Sequence, residues 1–192
     1  MPANAPEEPP SRRFPPGWLQ EKLFERRIVF VTGRLDDIVA AQAAAEIMTL
    51  DASGDEPIDV YLDSRDGSLE AAFVLIDIMD LLHTTVRGHC HGQVGGPAIG
   101  VVAVANHRSA SPHATFRLGQ PMTQLSGTPD QIIAQSQQHR DLLWRFQARL
   151  AKATGRPPEE IADDMRRGRY LNAQEALEYG LIDAVRSIAD AR

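Results

Sequence analysis

The sequence is short of the features that would place the chain in a membrane or in an oxidising compartment. Cys90 is the only cysteine among 192 residues, so an internal disulfide is impossible, which fits a reducing cytoplasm. No run of about 18 apolar residues is present, and we therefore expect no transmembrane helix. Lysine and arginine total 20 against 26 acidic residues, and the basic residues form no long block. Nucleic-acid binding therefore has little electrostatic support.

The N-terminal stretch "MPANAPEEPPSRRFPP", residues 1–16, is polar and rich in proline, and it lacks the apolar core of a signal peptide. This composition predicts a flexible arm. The rest of the chain, 17–192, has the length of one domain, and 43% of all residues are hydrophobic. We therefore expect a single cytoplasmic domain behind the arm, without a membrane partner.

The first two thirds of the chain alternate between strand and helix patterns. Strands are predicted at 26–33, 58–64 and 85–92, each followed by a predicted helix, at 35–53, 68–83 and 97–106. Asp36 or Asp37 is the expected N-cap of the first helix, and Ser68 that of the second. The first helix has an apolar face at helical spacing, made by Ile38, Ala41, Ala45 and Met48. Such alternation predicts an α/β fold with a parallel sheet, and two short strands are expected within 107–119.

The last third is dominated by one long amphipathic helix, predicted over 128–155. Thr128 or Asp130 is the expected N-cap, and Gly155 the expected end. A helix of about 25 residues is about 38 Å long, so part of it is expected to project toward a partner chain. Its apolar face carries Leu142, Leu143, Phe146 and Leu150 at helical spacing. Trp144 and Phe146 are expected to be packing residues rather than a platform for a ligand. A short helix at 157–168 and a helix with a terminal strand at 172–185 complete the prediction.

Three glycine turns, "DSRDGS", "GQVGGPA" and "RLGQP", stand where strands meet helices. None has the spacing of a phosphate-binding loop. His89 and His91 share one face of a predicted strand, but no third ligand stands at a recognisable spacing, so we expect no metal and no cofactor. Cys90 points to the opposite face and is expected in the core.

Several segments, which together span nearly the whole chain beyond the arm, are similar to those of a known protein family. The sequence resembles the proteolytic subunit of the Clp protease, a self-compartmentalised serine peptidase. The resemblance implies a crotonase-like α/β fold of repeated strand–helix units with a projecting handle helix, here around 122–155. The matching segments are "ERRIVFVTGRLDD", "IDVYLDSRDGS", "HCHGQVGGPAIG", "FRLGQP" and "RRGRYLNAQEALEYGLID".

The resemblance also implies where a catalytic triad would lie. The family's nucleophile is the serine of G-Q-A-A-S-M-G, which falls on Gly96 in "GQVGGPA". The histidine of H-Q-P falls on Gly119, and the aspartate of R-D-x-F falls on Gly168. Glycine has no side-chain atom that attacks, takes a proton or orients a base, so the resemblance implies a vestigial triad.

The oxyanion hole implied by the resemblance is also altered. Its two backbone donors fall on Gly67, which keeps its N–H, and on Pro97, which has none. Asp66 replaces the first glycine of S-P-G-G, which should repel an oxyanion unless Arg65 neutralises it. Other serines are present, but they are expected to be turn and cap residues: Ser64, Ser68, Ser109 and Ser111.

Assembly residues follow from the same resemblance. An acidic residue and an arginine that pair across the ring–ring interface of active relatives fall on Asp130 and Arg167; two solvated surface charges are the alternative interpretation. The resemblance implies stacked heptameric rings, made of this chain alone or mixed with active paralogues. An AAA+ unfoldase is a further possible partner, but Asp59 beside Tyr61 places a charge in the apolar cleft that would receive it.

These observations favour a noncatalytic homologue of the proteolytic subunit, which is a structural or regulatory component of a Clp-type ring. Two alternatives stay open. One is an active serine endopeptidase whose nucleophile lies elsewhere in the chain. The other is a module that binds acyl-thioesters or peptides, which rests on fold analogy alone.

Overall fold

The computed structural model describes residues 17–186, so the predicted arm at 1–16 lies outside the described residues. The fold class is α/β, as predicted. The strands are β1 Ile28–Thr32, β2 Ile58–Asp63, β3 Val86–Cys90, β4 Gln93–Gly95, β5 His107–Ala110, β6 Thr115–Leu118, β7 Arg169–Asn172 and β8 Ala184–Val185. The helices are α1 Gly17–Glu25, α2 Asp37–Ser53, α3 Leu69–Leu81, α4 Ala98–Val104, α5 Pro129–Thr154, α6 Pro158–Arg167 and α7 Ala173–Tyr179.

The main sheet has the order β1-β2-β3-β5-β8, and all its strands are parallel, which confirms the strand–helix alternation. Val29, Val60 and Cys90 are buried on the face that packs against the helices. A second sheet, β4-β6-β7, combines a parallel and an antiparallel pair. Its strands β4 and β7 were not predicted, and neither was α1. The strands β4 and β7 have only three and four residues, which is too short to show a periodic pattern.

The predicted apolar face of α2 is wrong. Ile38 and Met48 are 75% and 56% exposed, and the buried residues of α2 lie on another face: Ala40, Ala43, Ala44, Ile47 and Leu50. Alanine residues lie on several sides of this helix, so two of its faces have apolar side chains at helical spacing. Tertiary packing determines which of the two faces is buried. Its predicted N-cap is confirmed, because Asp36 Oδ1 accepts hydrogen bonds from the N–H groups of Ile38 and Val39.

The long helix α5 has 26 residues, which corresponds to about 39 Å. Thr128 caps its start in a capping box with Gln131, and Gly155 ends it in the left-handed conformation, with φ of 70°. Its buried residues are all in the C-terminal half: Phe146, Leu150 and Ala151. Phe146 is buried, as expected of a packing residue, whereas Trp144 is 67% exposed and does not pack in the core of this chain.

Phe146 fixes where α5 crosses α4. A Cβ atom at Gly100 would come within 2.3 Å of the Phe146 ring, so glycine at this position allows the two helices to pack closely. Since α4 begins directly after the β4 turn, this contact also anchors the glycine-rich segment. No helix within residues 17–186 combines the length and the apolar character that a membrane crossing requires.

Candidate functional site

The second sheet brings the three glycines of the implied triad to one end. Gly95 pairs with Arg117 across β4 and β6, and Leu118 pairs with Arg169 across β6 and β7. Gly96, Gly119 and Gly168 are the residues adjacent to these pairs. Gly96 also donates its N–H to the Arg117 carbonyl, at 3.1 Å. The three backbone positions therefore form one locus, although no side chain projects from any of them.

Two of these glycines have backbone conformations that favour glycine. Gly96 has φ of +53°, and Gly168 has φ of +67° as the C-cap of α6, where its N–H donates to the carbonyls of Asp164 and Met165. Gly119 differs, because a Cβ atom there would lie 3.4 Å from Nε of Arg117, in ordinary van der Waals contact. The Arg117 guanidinium thus lies beside the position where the resemblance would place a histidine.

A carboxylate lies against Gly67, the position where the resemblance implies an oxyanion-hole donor. Gly67 donates its backbone N–H to Asp66 Oδ1 at 2.8 Å. Asp66 Oδ2 in turn accepts from Arg34 Nη1 at 3.1 Å, so Arg34 and not Arg65 is the ionic partner of this carboxylate. The donor that would stabilise a negative charge on a substrate is therefore engaged by a negative charge of the chain itself.

Close packing leaves no space for a side chain at Gly67. A Cβ atom there would lie 2.4 Å from the Leu35 carbonyl oxygen, because Leu35 and Gly67 form an isolated parallel β-bridge. Pro97, the other position, is the N-cap residue of α4 and supplies no side-chain cap. A cleft of about 320 Å³ beside this locus is lined by charged groups of both signs, which are Arg34, Asp63, Arg65 and Asp66, and by Gly33.

The serine candidates have different environments. Ser64 is fully buried and donates to the Asp66 carbonyl, and Ser68 caps α3 through the Ala71 N–H, so both are turn and cap residues as predicted. Ser111 is also a turn residue as predicted, because its carbonyl accepts a hydrogen bond from the Ala114 N–H at 2.9 Å. Ser109 is neither a turn nor a cap residue. Ser109 belongs to β5, and its Oγ lies 2.8 Å from His89 Nδ1. Ser111 Oγ lies 2.7 Å from His91 Nδ1.

His89 and His91 lie on the same sheet face, as predicted, and both rings pack against Tyr61. Burial lowers the pKa of His91, and the nearby Arg186 guanidinium lowers it further. His89 Nε2 lies 2.7 Å from Asp59 Oδ1, and Arg87 donates to the other oxygen of Asp59 at 2.8 Å. The sequence analysis missed this contact, although a strand period of two on adjacent parallel strands would have indicated the shared face.

Cys90 lies on the opposite face of the same strand and is fully buried, as predicted. Burial raises the pKa of its thiol to about 12. Among residues 17–186, histidine, cysteine and acidic side chains do not converge in any group of three or more suited to a metal ion.

Asp130 and Arg167 are both exposed. Asp130 lies in the first turn of α5, and Arg167 lies in the last turn of α6. Each charge is therefore at the helix end where the macrodipole favours it, which gives both residues a local role within the chain.

Comparisons with known proteins agree over most of the chain. The family model described as Clp protease matches residues 18–189. The chain is 34% identical over 167 residues to ATP-dependent Clp protease proteolytic subunit 4 of Rhodococcus jostii (strain RHA1), covering 85% of this chain and 86% of the relative. It is 31% identical over 197 residues to proteolytic subunit 1 of Thermobifida fusca (strain YX), covering 94% and 89%. The proteolytic subunit of Paracoccus denitrificans is 33% identical over 162 residues, which cover 83% and 81%.

Proposed function

Because the chain belongs to the Clp protease family, we propose that it is a noncatalytic homologue of the proteolytic subunit, with a structural or regulatory role in a Clp-type ring. The observation that carries this proposal is the set of glycines at the implied triad: Gly96, Gly119 and Gly168. Acyl transfer by a serine peptidase requires a nucleophile, a base and an orienting group, and glycine supplies none of them.

The oxyanion position supports the same proposal independently of the triad. Pro97 has no N–H, and the Gly67 N–H is bonded to Asp66 Oδ1. In subtilisin, loss of a single oxyanion donor lowers kcat by about 10²–10³-fold. A serine restored at Gly96 would therefore still lack most of the machinery for peptide hydrolysis.

The proposed assembly is a stacked pair of heptameric rings in the cytoplasm, formed by this chain or mixed with active paralogues. The exposed Asp130 and Arg167 are the proposed ring–ring contacts. Exposed ion pairs contribute about 0–1 kcal/mol, so these residues would set geometry more than affinity. Membrane and nucleic-acid partners are not part of the proposal.

The face that would bind an AAA+ unfoldase is unfavourable for an apolar segment. Asp59 is only 20% exposed and is bonded to Arg87 and His89, which makes this face polar beside Tyr61. An apolar segment placed here would have to desolvate these charges. An active paralogue in a mixed ring would then supply the docking surface.

A peptidase assay on the purified chain, alone and mixed with its active paralogue, tests the proposal. We expect background hydrolysis by the chain alone and altered activity in the mixture, with native mass spectrometry showing mixed rings. Robust hydrolysis of peptides by the chain alone would overturn the proposal.

A further inference from the structure

A serine, a histidine and an aspartate lie in line on the outer face of the main sheet, away from the three glycines. The parallel register places His89 opposite both Tyr61 and Ser109, and Asp59 stands two residues before Tyr61 on the same strand face. His89 Nδ1 is 2.8 Å from Ser109 Oγ, and His89 Nε2 is 2.7 Å from Asp59 Oδ1. From this geometry we infer that Asp59, His89 and Ser109 form a second nucleophilic site that hydrolyses small esters, an activity that goes beyond the proposed ring function.

The hydrogen bonds select the tautomer that such a site requires. Asp59 Oδ1 accepts a hydrogen bond from the Nε2–H of His89, so the lone pair of His89 is on Nδ1, the nitrogen that faces Ser109. The Gly88 carbonyl is a more distant acceptor for the Ser109 hydroxyl, at 3.4 Å. Arg87 donates to the second oxygen of Asp59 at 2.8 Å and orients the carboxylate.

Two further groups lie next to this arrangement. Arg186 Nη1 lies 3.3 Å from His89 Nδ1, so its N–H is a second, more distant donor to the lone pair that faces Ser109. The rings of Phe30 and Tyr61 stack at 5.3 Å next to His89, which gives an aromatic surface for the substrate. Ser109 is half-buried and Phe30 is 37% exposed on this open face, so the substrate class is a small ester with an aromatic group.

The reaction follows the usual order of nucleophilic catalysis. Ser109 Oγ bonds to the ester carbonyl carbon while its proton passes to His89 Nδ1, and Asp59 stabilises the resulting imidazolium. The bond to the leaving alcohol then breaks, and the alcohol takes the proton from His89. Water repeats the two steps on the acyl-serine, which releases the acid and restores Ser109.

The same face contains an internal comparison. Ser111 Oγ lies 2.7 Å from His91 Nδ1, and Tyr61 packs on this ring as well. Within the described residues, however, Nε2 of His91 is buried without a hydrogen-bond partner. The two serine–histidine pairs therefore differ in the carboxylate, which only His89 contacts, and the inference assigns reactivity to Ser109 alone.

Labelling of the full-length chain with a fluorophosphonate probe, followed by peptide mapping, tests the inference. We expect covalent labelling at Ser109, absent in Ser109→Ala and unchanged in the matched control Ser111→Ala. Asp59→Asn keeps the side-chain shape and should slow labelling roughly tenfold or more, because the imidazole loses its orienting charge. Hydrolysis of p-nitrophenyl acetate should fall in Ser109→Ala and in Asp59→Asn.

Labelling that is absent from Ser109, or equal at Ser109 and Ser111, overturns the inference and leaves the proposed ring function intact. An unchanged labelling rate in Asp59→Asn also overturns it. Labelling at Ser109 without peptide hydrolysis supports both proposals. If peptides are hydrolysed and Ser109→Ala abolishes this hydrolysis, the inference stands and the proposed noncatalytic role falls.

Discussion

At the scale of the residue, Gly96 combines a left-handed backbone, with φ of +53°, with a position directly before Pro97. A β-carbon there would lie 3.5 Å from Asp66 Oδ1, so there is space for a side chain but not for a relaxed backbone. The backbone at position 96 is therefore more favourable for glycine than for serine.

We predict that Gly96→Ser destabilises the chain by about 1–2 kcal/mol, the cost of the left-handed conformation for a residue with a β-carbon. Peptidase activity should stay at background, because the base is still missing. Urea unfolding and a fluorogenic peptide assay measure the two outcomes. Gly119→Ser is the matched control: a Cβ there meets only the flexible Arg117 side chain, at 3.4 Å, so its cost should be smaller. Equal destabilisation by both variants contradicts this account.

Cys90 provides a second test at the same scale. Burial raises the pKa of its thiol to about 12, and only the thiolate reacts readily with alkylating agents. We expect iodoacetamide at pH 8 to leave the native chain unmodified and to alkylate the chain completely in guanidinium. Since Cys90 is the only cysteine, intact-mass spectrometry reports this site directly. Native alkylation as fast as in denaturant would show that the strand opens.

Gly96, Gly119 and Gly168 each stand inside a segment that resembles the family, so the sequence alone could propose these positions. Sequence motifs were insufficient for the contact of Asp66 with Gly67 and Arg34 and for that of Ser109 with His89. Such contacts join distant parts of the chain, and their geometry depends on strand register and side-chain rotamers. Residue type alone favoured Arg65 as the partner of Asp66, which the structure corrects to Arg34.

At the scale of the element, α6 and α7 are joined by a buried polar contact. Tyr179 donates its hydroxyl to Asp164 Oδ2 at 2.8 Å, and Arg169 bonds the same oxygen at 3.0 Å. Burial, together with the Asp164 carboxylate, raises the pKa of Tyr179. The hydroxyl is therefore a protonated donor over the whole physiological range, and it satisfies a carboxylate that is only 7% exposed.

We predict that Tyr179→Phe lowers the free energy of unfolding by about 1–3 kcal/mol, because a buried carboxylate loses a donor while the ring packing is kept. Urea denaturation measures the change. Tyr170→Phe removes the same atom from a side chain that is 61% exposed and should change stability by less than about 0.5 kcal/mol. The contact does not stabilise the α6–α7 packing if the two variants are equally stable.

Elements were predictable where they are long and regular. The strands of the main sheet and the helices α2, α3, α5 and α6 follow from periodicity and caps. The face of α2 was not predictable, because Ile38 and Met48 satisfy the same spacing as the residues that are buried. The second sheet was only partly predictable, since β4 and β7 derive their stability from pairing with β6 rather than from their own sequences.

At the scale of the whole molecule, α5 extends well beyond the core on which its C-terminal half packs. Ile133 and Trp144 are 66% and 67% exposed along this helix, and Ile132 is 38% exposed. Apolar side chains along an exposed helix are typical of a surface that a second chain covers. The proposed ring assembly gives α5 this role.

We predict that Ile133→Asp shifts the assembled protein toward smaller species, because the added carboxylate would have to be desolvated in an interface between chains. Native mass spectrometry measures the distribution of species. Trp144 supplies a second readout when Trp18, the other tryptophan, is replaced by phenylalanine, since its emission should be blue-shifted in the assembly and red-shifted in the dissociated chain.

Gln138→Asp adds the same charge at an exposed polar position of α5 and should leave the assembly unchanged. A buried apolar contact tolerates an unpaired charge poorly. Identical distributions for Ile133→Asp and the unaltered chain would therefore show that this face of α5 is not in the interface.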